Sequence, residues 1–203
     1  KMPEALRIAC DGSLNHNGIE FQTPLLSGKA GERFIKSLSS LLSKEKFYVD
    51  SSCGLHIHID GDGYKNEKDA ENLRKLWLFY YIYDDVILAM LPASRRNNRF
   101  CIPLKKNYSY SEIINCYDKK SIEKKWYKEE NEDNIEDRKK TKNDNTRYNG
   151  INFHSLLWDG HLEIRYHSGT INDRKILEWI NLHTKILDTI PEITSATIQK
   201  GLN

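Results

Sequence analysis

The sequence predicts an α+β fold: an antiparallel sheet with helices packed on one face. Three observations carry that prediction. The chain opens with two short alternating segments around a turn, the pattern of a hairpin. Two further alternating segments, near 54–60 and 161–166, stand far apart in the chain. Helical periodicity fills most of the space between and after them, without an internal repeat or a regular strand–helix alternation.

The elements follow in order. Leu6–Cys10 alternates like a strand, Asp11-Gly12-Ser13 is turn chemistry, and Gly18–Thr23 alternates again before Pro24. Phe34, Leu38, Leu41 and Leu42 repeat at helical spacing over Lys29–Lys44. After the strand at Gly54–Asp60, Asn66 with Asp69 three residues on forms a capping box for the longest helix. Leu73, Leu76, Tyr80, Tyr83 and Ile87 are its buried stripe, and Pro92 marks its end. Ser111 to about Lys128 reads as helix in one or two pieces. The run 128–145 is almost wholly polar or charged and has little to bury, so it is expected as a flexible, solvated insertion in a single domain spanning 1–203. A last strand, His161–Tyr166, leads into a closing helix capped by Asp173, with Ile176, Ile180, Leu187 and Ile190 inward and Pro191 as its stop.

Composition narrows the classes. In 203 residues, 30% are charged and the net charge is +2. A general nucleic-acid binder would concentrate basic charge on one face, and the local group Arg95, Arg96, Arg99, Lys105 and Lys106 reads as solvated surface. The four cysteines are widely spaced and no secretory signal is present, so a reduced, cytoplasmic protein is expected. Leu76–Leu91 is the most apolar stretch. Asp84 and Asp85 interrupt it, and it falls short of the roughly 20 residues of a membrane span.

The strands carry the chemistry. Residues two apart share a face. Leu55, Ile57 and Ile59 therefore oppose His56, His58 and Asp60, while Leu162, Ile164 and Tyr166 oppose His161, Glu163, Arg165 and His167. Glu20 and Gln22 share a face of the earlier strand. An ordinary wet strand carries Lys, Thr, Ser and Glu. Imidazoles and carboxylates able to ligate a divalent cation, beside arginine able to fork onto phosphate or carboxylate, suit a nucleotide with its metal ions.

These residues also resemble a known family. Cys53–Ile59 is similar to the "CGLHVH" strand of the amidoligases, members of the glutamine synthetase and glutamate–cysteine ligase superfamily. Asp11–Leu14 with Gly18–Leu25, Ser94–Cys101, Arg147–Asn152 and Leu162–Thr170 resemble four more of its motifs, in family order. The resemblance covers about Asp11 to Ile190 and implies a curved, glutamine-synthetase-like sheet that binds Mg-ATP. A carboxylate substrate would be phosphorylated to an acyl phosphate, which an amine then displaces to form an amide. By resemblance, Glu20, His56 and Glu163 are the candidate metal ligands. His58, Arg147 and Arg165 would contact phosphates or the substrate carboxylate, and Arg95 and Arg99 would help hold the triphosphate or the acid. The implied partners are a small-molecule or peptide carboxylate and an amine, with no nucleic acid and no membrane; an oligomer is open.

One departure stands out. The family opens with a strand of the type "F-G-x-E-x-E", and Lys1-Met2-Pro3-Glu4-Ala5 does not match it, so the strand and its two carboxylates are expected to be missing here. Two other readings stay open. One is a non-catalytic ligand- or partner-binding remnant of the same fold. The other is a zinc-dependent hydrolase built on His56-x-His58, whose run Asp60-Gly61 departs from the His-x-His-x-Asp-His pattern of metallo-β-lactamase-like enzymes.

Overall fold

The computed structural model describes residues 5–200 as mixed helix and strand, with small antiparallel sheets. The opening residues 1–4, including Glu4, lie outside the described residues. The chain forms two compact units: residues up to Leu55 with Ser168–Leu182, and His56–His167 with residues from His183 onward.

In the first unit, β1 (Arg7–Cys10) and β2 (Ile19–Gln22) pair antiparallel, with Arg7 opposite Gln22 and Cys10 opposite Ile19. α1 (Gly28–Lys44) follows, as its periodicity predicts. Its most buried positions are Gly31, Ile35, Ser39 and Leu42, while Leu41 points outward at 52% exposure. The buried stripe is therefore rotated from the expected one, because the small residues Gly31 and Ser39 allow a closer approach than Leu41. Phe21 and Phe47 meet edge to face at 5.4 Å. Gly54 bridges Ser168, and the Gly169 amide donates to the Cys53 carbonyl at 2.7 Å. A side chain at 169 would begin 2.3 Å from Cys53 Cβ, so this junction requires glycine.

The second unit starts with β3 (Ile57–Asp60). The Asn66–Asp69 capping box forms as expected and leads into α2 (Ala70–Ala89). Then come α3 (Ala93–Arg96), α4 (Leu104–Asn107), α5 (Tyr110–Ile114) and α6 (Lys119–Tyr127). The stretch expected as helix in one or two pieces over 111–128 thus forms two, and Ser109 and Asp118 each cap one. α7 (Glu132–Lys139), β4 (Ile151–Asn152), α8 (Phe153–Asp159) and β5 (His161–Ile164) complete the centre. α9 (Asp173–Thr189) and α10 (Ser195–Gln199) close the chain. The cap of α9 is Asn172, whose side chain accepts from the Lys175 amide at 2.9 Å; Asp173 is the first helical residue.

The core of the second unit is aromatic. Leu73, Leu76, Trp77 and Tyr80 of α2 are fully buried. Trp77 meets Tyr108 at 4.9 Å and Trp126 at 5.6 Å, and Trp126 meets Phe153 at 4.9 Å, joining α2, α6 and α8. α2 also packs against Tyr166, just beyond β5. Tyr80 stacks on Tyr166 at 6.1 Å, and the Tyr166 hydroxyl donates to the buried Asp84 at 2.7 Å. Burial pushes the Asp84 carboxyl up to about 6, against that hydrogen bond. A side chain at Gly150 would begin 2.0 Å from the Tyr166 ring, so glycine is needed where β4 approaches it. All four cysteines are free thiols. Among the described residues, no helix is long and apolar enough to cross a membrane.

The run 128–145 differs from its compositional expectation. It carries α7, whose Ile135 is 3% exposed. Arg138 forks onto Asp144 at 2.7 and 3.1 Å and donates to the Tyr127 carbonyl at 2.7 Å. One apolar anchor and a bidentate ion pair supply what composition could not show. Arg138→Ala should therefore cost about 1–2 kcal/mol by leaving the nearly buried Asp144 without its partner. Urea unfolding measures that loss, and amide exchange should speed up first within 132–144.

Buried histidines give a second prediction. His154, 1% exposed, takes a hydrogen bond between Nδ1 and the Tyr127 hydroxyl at 2.7 Å and donates Nε2–H to the Thr141 carbonyl at 2.7 Å. It is neutral, and burial lowers its pKa. His183 Nδ1 lies 2.6 Å from the Tyr80 hydroxyl, and burial brings it down to about 3. Both imidazoles take up a proton below about pH 6.5 when unfolded but not when folded. Their contribution is full above that pH and is lost as pH falls. Asp84 acts in the opposite sense between about 6 and its ordinary value of 3.8. Burial also lowers His56 and His58, to about 3 and about 4, and they act in the same sense as His154 and His183. At least four sites against one leave a net loss of stability from pH 7 to pH 5, on the order of a few kcal/mol. Urea midpoints at the two pH values should show it, and His154→Gln should reduce the difference.

Candidate functional site

β5 is the central strand of its sheet, antiparallel to β3 on one side and β4 on the other. The register sets His58 opposite Glu163 on one flank and Asn152 opposite Glu163 on the other. Side chains of directly paired residues share a face, so Glu163 sits between an imidazole and an amide.

Glu163 is 6% exposed and both of its oxygens are engaged. Asn152 Nδ2 donates to Oε2 at 2.6 Å, and Arg165 Nη1 donates to Oε1. His56 Nδ1 stands 3.3 Å from Oε1 and His58 Nε2 stands 3.8 Å from it. Burial alone would raise the carboxyl's pKa. The Arg165 charge, the two histidines and the Asn152 hydrogen bond outweigh it and hold the group at about 2. Burial, helped by Arg165 and opposed by Glu163, takes His56 down to about 3; burial takes His58 to about 4. At neutral pH the cluster is one carboxylate, one guanidinium and two neutral imidazoles.

The arginines are arranged around two rings. Ile102 donates to the Tyr148 carbonyl at 2.7 Å, and Gly150 donates back to Ile102 at 3.0 Å, which lays the segment 99–102 beside 147–150. Phe100 and Tyr148 then meet at 5.5 Å. Arg99 lies 4.7 Å over Phe100, Arg147 lies 4.8 Å over Tyr148, and Arg165 lies 5.9 Å from the Tyr148 ring. Arg147 also donates to the Tyr148 hydroxyl at 2.7 Å, and Arg165 Nε donates to the Phe100 carbonyl at 3.1 Å. Because the histidines are neutral, these three guanidiniums supply the positive charge of the face.

The structure thus brings His56, His58, Glu163 and Arg165 together, with Arg147 and Arg99 joined through the rings. Arg95 has another task. It is 2% exposed and donates to the carbonyls of Tyr166 at 2.9 Å and Arg165 at 2.7 Å, so it braces the chain just beyond β5. Glu20 lies on β2 of the first unit, where Gln22 donates to it at 2.7 Å. Asp60 accepts from the Asp62 amide and serves a turn. Among the described residues, no group of three or more His, Cys, Asp or Glu is arranged to hold a metal ion. The partners that strand alternation missed are Asn152, Tyr148 and Phe100. Their only sequence signal was membership of the motif runs 147–152 and 94–101.

Asn152 has a double role, because its Oδ1 also caps α8 through the Ser155 amide at 3.2 Å. Asn152→Asp keeps the cap and sets a second negative charge against Glu163. Melting temperature should fall more at pH 7 than at pH 4, whereas Asn152→Ala should cost about 1–2 kcal/mol at both.

The family model described as "Putative amidoligase enzyme" matches residues 7–187, nearly the whole chain. No curated protein and no solved structure matches it. A central Glu163-x-Arg165 strand beside the His56-x-His58 strand, matched along this length, shows that the chain belongs to the amidoligase family.

Proposed function

We propose that the protein is an ATP-dependent carboxylate–amine ligase that forms an amide through an acyl phosphate, on a sheet related to that of glutamine synthetase. Family membership supports an amide-forming ligase. The observation that carries the finer reading is the pairing of an ionised, nearly buried Glu163 with Arg165, within a face that also holds Arg147 and Arg99. An isolated buried carboxylate is costly. One held ionised among guanidiniums is prepared for a ligand that brings both cations and anions.

The donor set fits Mg²⁺ only in part. Hard Mg²⁺ takes oxygen ligands, usually from one or two carboxylates, phosphates and water. Glu163 is the carboxylate of the face, and His56 is a weaker donor for this ion. When bound, Mg²⁺ would supply charge neutralisation at the phosphates. Glu20, the other carboxylate named from the sequence, lies on β2 of the first unit.

The protein's own residues would act on charge. Arg165 and Arg147 would draw negative charge from the transferring phosphoryl group as the substrate carboxylate oxygen attacks γ-phosphorus and ADP leaves. Arg99 would extend that field. The amine nitrogen then attacks the acyl carbon, inorganic phosphate departs, and the nitrogen releases a proton. His58, neutral at pH 7, has a lone pair for that proton or an N–H for the leaving phosphate. The substrates would be a small-molecule or peptide carboxylate and an amine. Four free thiols suit a reducing compartment where ATP is plentiful, such as the cytoplasm.

Titration calorimetry of Mg-ATP tests this reading. Wild type should bind, Glu163→Ala/Arg165→Ala should lose the heat, and Arg147→Ala should weaken binding about tenfold, or about 1.4 kcal/mol. A folded wild type that gives no heat at millimolar ATP would overturn it. Binding without phosphate release for any acid and amine pair would leave a non-catalytic nucleotide-binding protein of the same family.

A further inference from the structure

The basic group near residue 100 is broken up by the fold. Arg95 is buried on backbone carbonyls and Arg99 rests on Phe100. The remaining cations, Arg96, Lys105 and Lys106, line a shallow, open cleft of about 310 Å³ together with the apolar Leu88, Ala89 and Pro103. The cleft shares no residue with the Glu163 face.

The charges are not balanced within the protein. Asp85, also at the rim, is 2.5 Å from Lys105 Nζ and is the one carboxylate lining the cleft. Lys106 reaches only an amide oxygen, Asn97 Oδ1, at 3.4 Å. Arg96 is exposed, and its guanidinium has no hydrogen bond or ion pair among the described residues. Three cations against one carboxylate leave two positive charges beside the apolar lining of the cleft. Two exposed apolar side chains stand nearby in the chain: Val86 on α2 and Met90 at its C-terminal cap, each 57% exposed.

We infer that this cleft docks an acidic polypeptide segment that carries an apolar side chain among its carboxylates. The volume is at the small end of ligand clefts and suits one such side chain. Arg96 and Lys106 would take the flanking carboxylates, Arg96 through its planar fork. A nucleic-acid backbone fits less well. No aromatic side chain lines the cleft to stack a base, and Asp85 would face the phosphates. The site does not depend on the ligase reading.

The probe is a fluorescein-labelled Glu-Glu-Leu-Glu-Glu peptide followed by anisotropy. Wild type should bind it saturably, more weakly as salt rises. Replacing the central Leu by Ser should weaken binding several-fold. Arg96→Glu/Lys106→Glu should weaken it at least tenfold while leaving the unfolding curve and any Mg-ATP heat unchanged. Should the double variant fail to fold, Arg96→Gln alone should still weaken binding about threefold. No saturation at millimolar peptide, equal affinity in the charge variants, or tighter binding of an oligothymidylate of equal charge would each overturn the inference.

Discussion

The second unit is organised around one constraint: Glu163 is a charge placed on the middle strand of a sheet, almost out of water. Nothing in a strand's backbone can compensate a buried carboxylate. Compensation has to come from side chains, and the antiparallel register dictates which. His58 and Asn152 are its direct cross-strand neighbours, and Arg165 is its neighbour along the strand. The charge is stable because four side chains from three segments meet at it, and those segments are held where they are because the charge needs them.

That constraint extends into the supporting structure. Arg165 reaches Glu163 because its other end is tied to the Phe100 carbonyl, and the 99–102 segment is tied in turn to Tyr148 and Gly150. Arg95 fixes the two carbonyls at the end of the same strand from behind. On the opposite face, Tyr166 carries the strand onto α2 through Tyr80 and Asp84. The polar face is precise only because the apolar face is packed.

Strand alternation made much of this legible. A period of two placed His56, His58, Glu163 and Arg165 on one face before any pairing was known, and the register then set His58 opposite Glu163. The Asn66–Asp69 box was readable because capping is local chemistry. What stayed hidden was tertiary. β4 is two residues long, too short to alternate, so Asn152 had no signal as a strand residue. α8 has its first four residues, Phe153 to Leu156, all buried and no polar side to mark it as amphipathic. α7 is charged nearly throughout, and its structure depends on Arg138 finding Asp144 six residues away. Arg95 and Arg99 are indistinguishable by residue type, and only burial separates a brace from a surface cation.

The tethering of Arg165 has a stereochemical consequence. Its Nε donates to Phe100 and its Nη1 to Glu163, which fixes the plane of the guanidinium, and among the described residues Nη2 has no acceptor. A guanidinium held this way cannot swing to follow a visitor. Three of its five N–H groups remain, two of them on Nη2, and they point in a fixed direction, so an anion meeting it is oriented by them. Selectivity at this arginine would then come from the angle at which the anion arrives more than from its total charge.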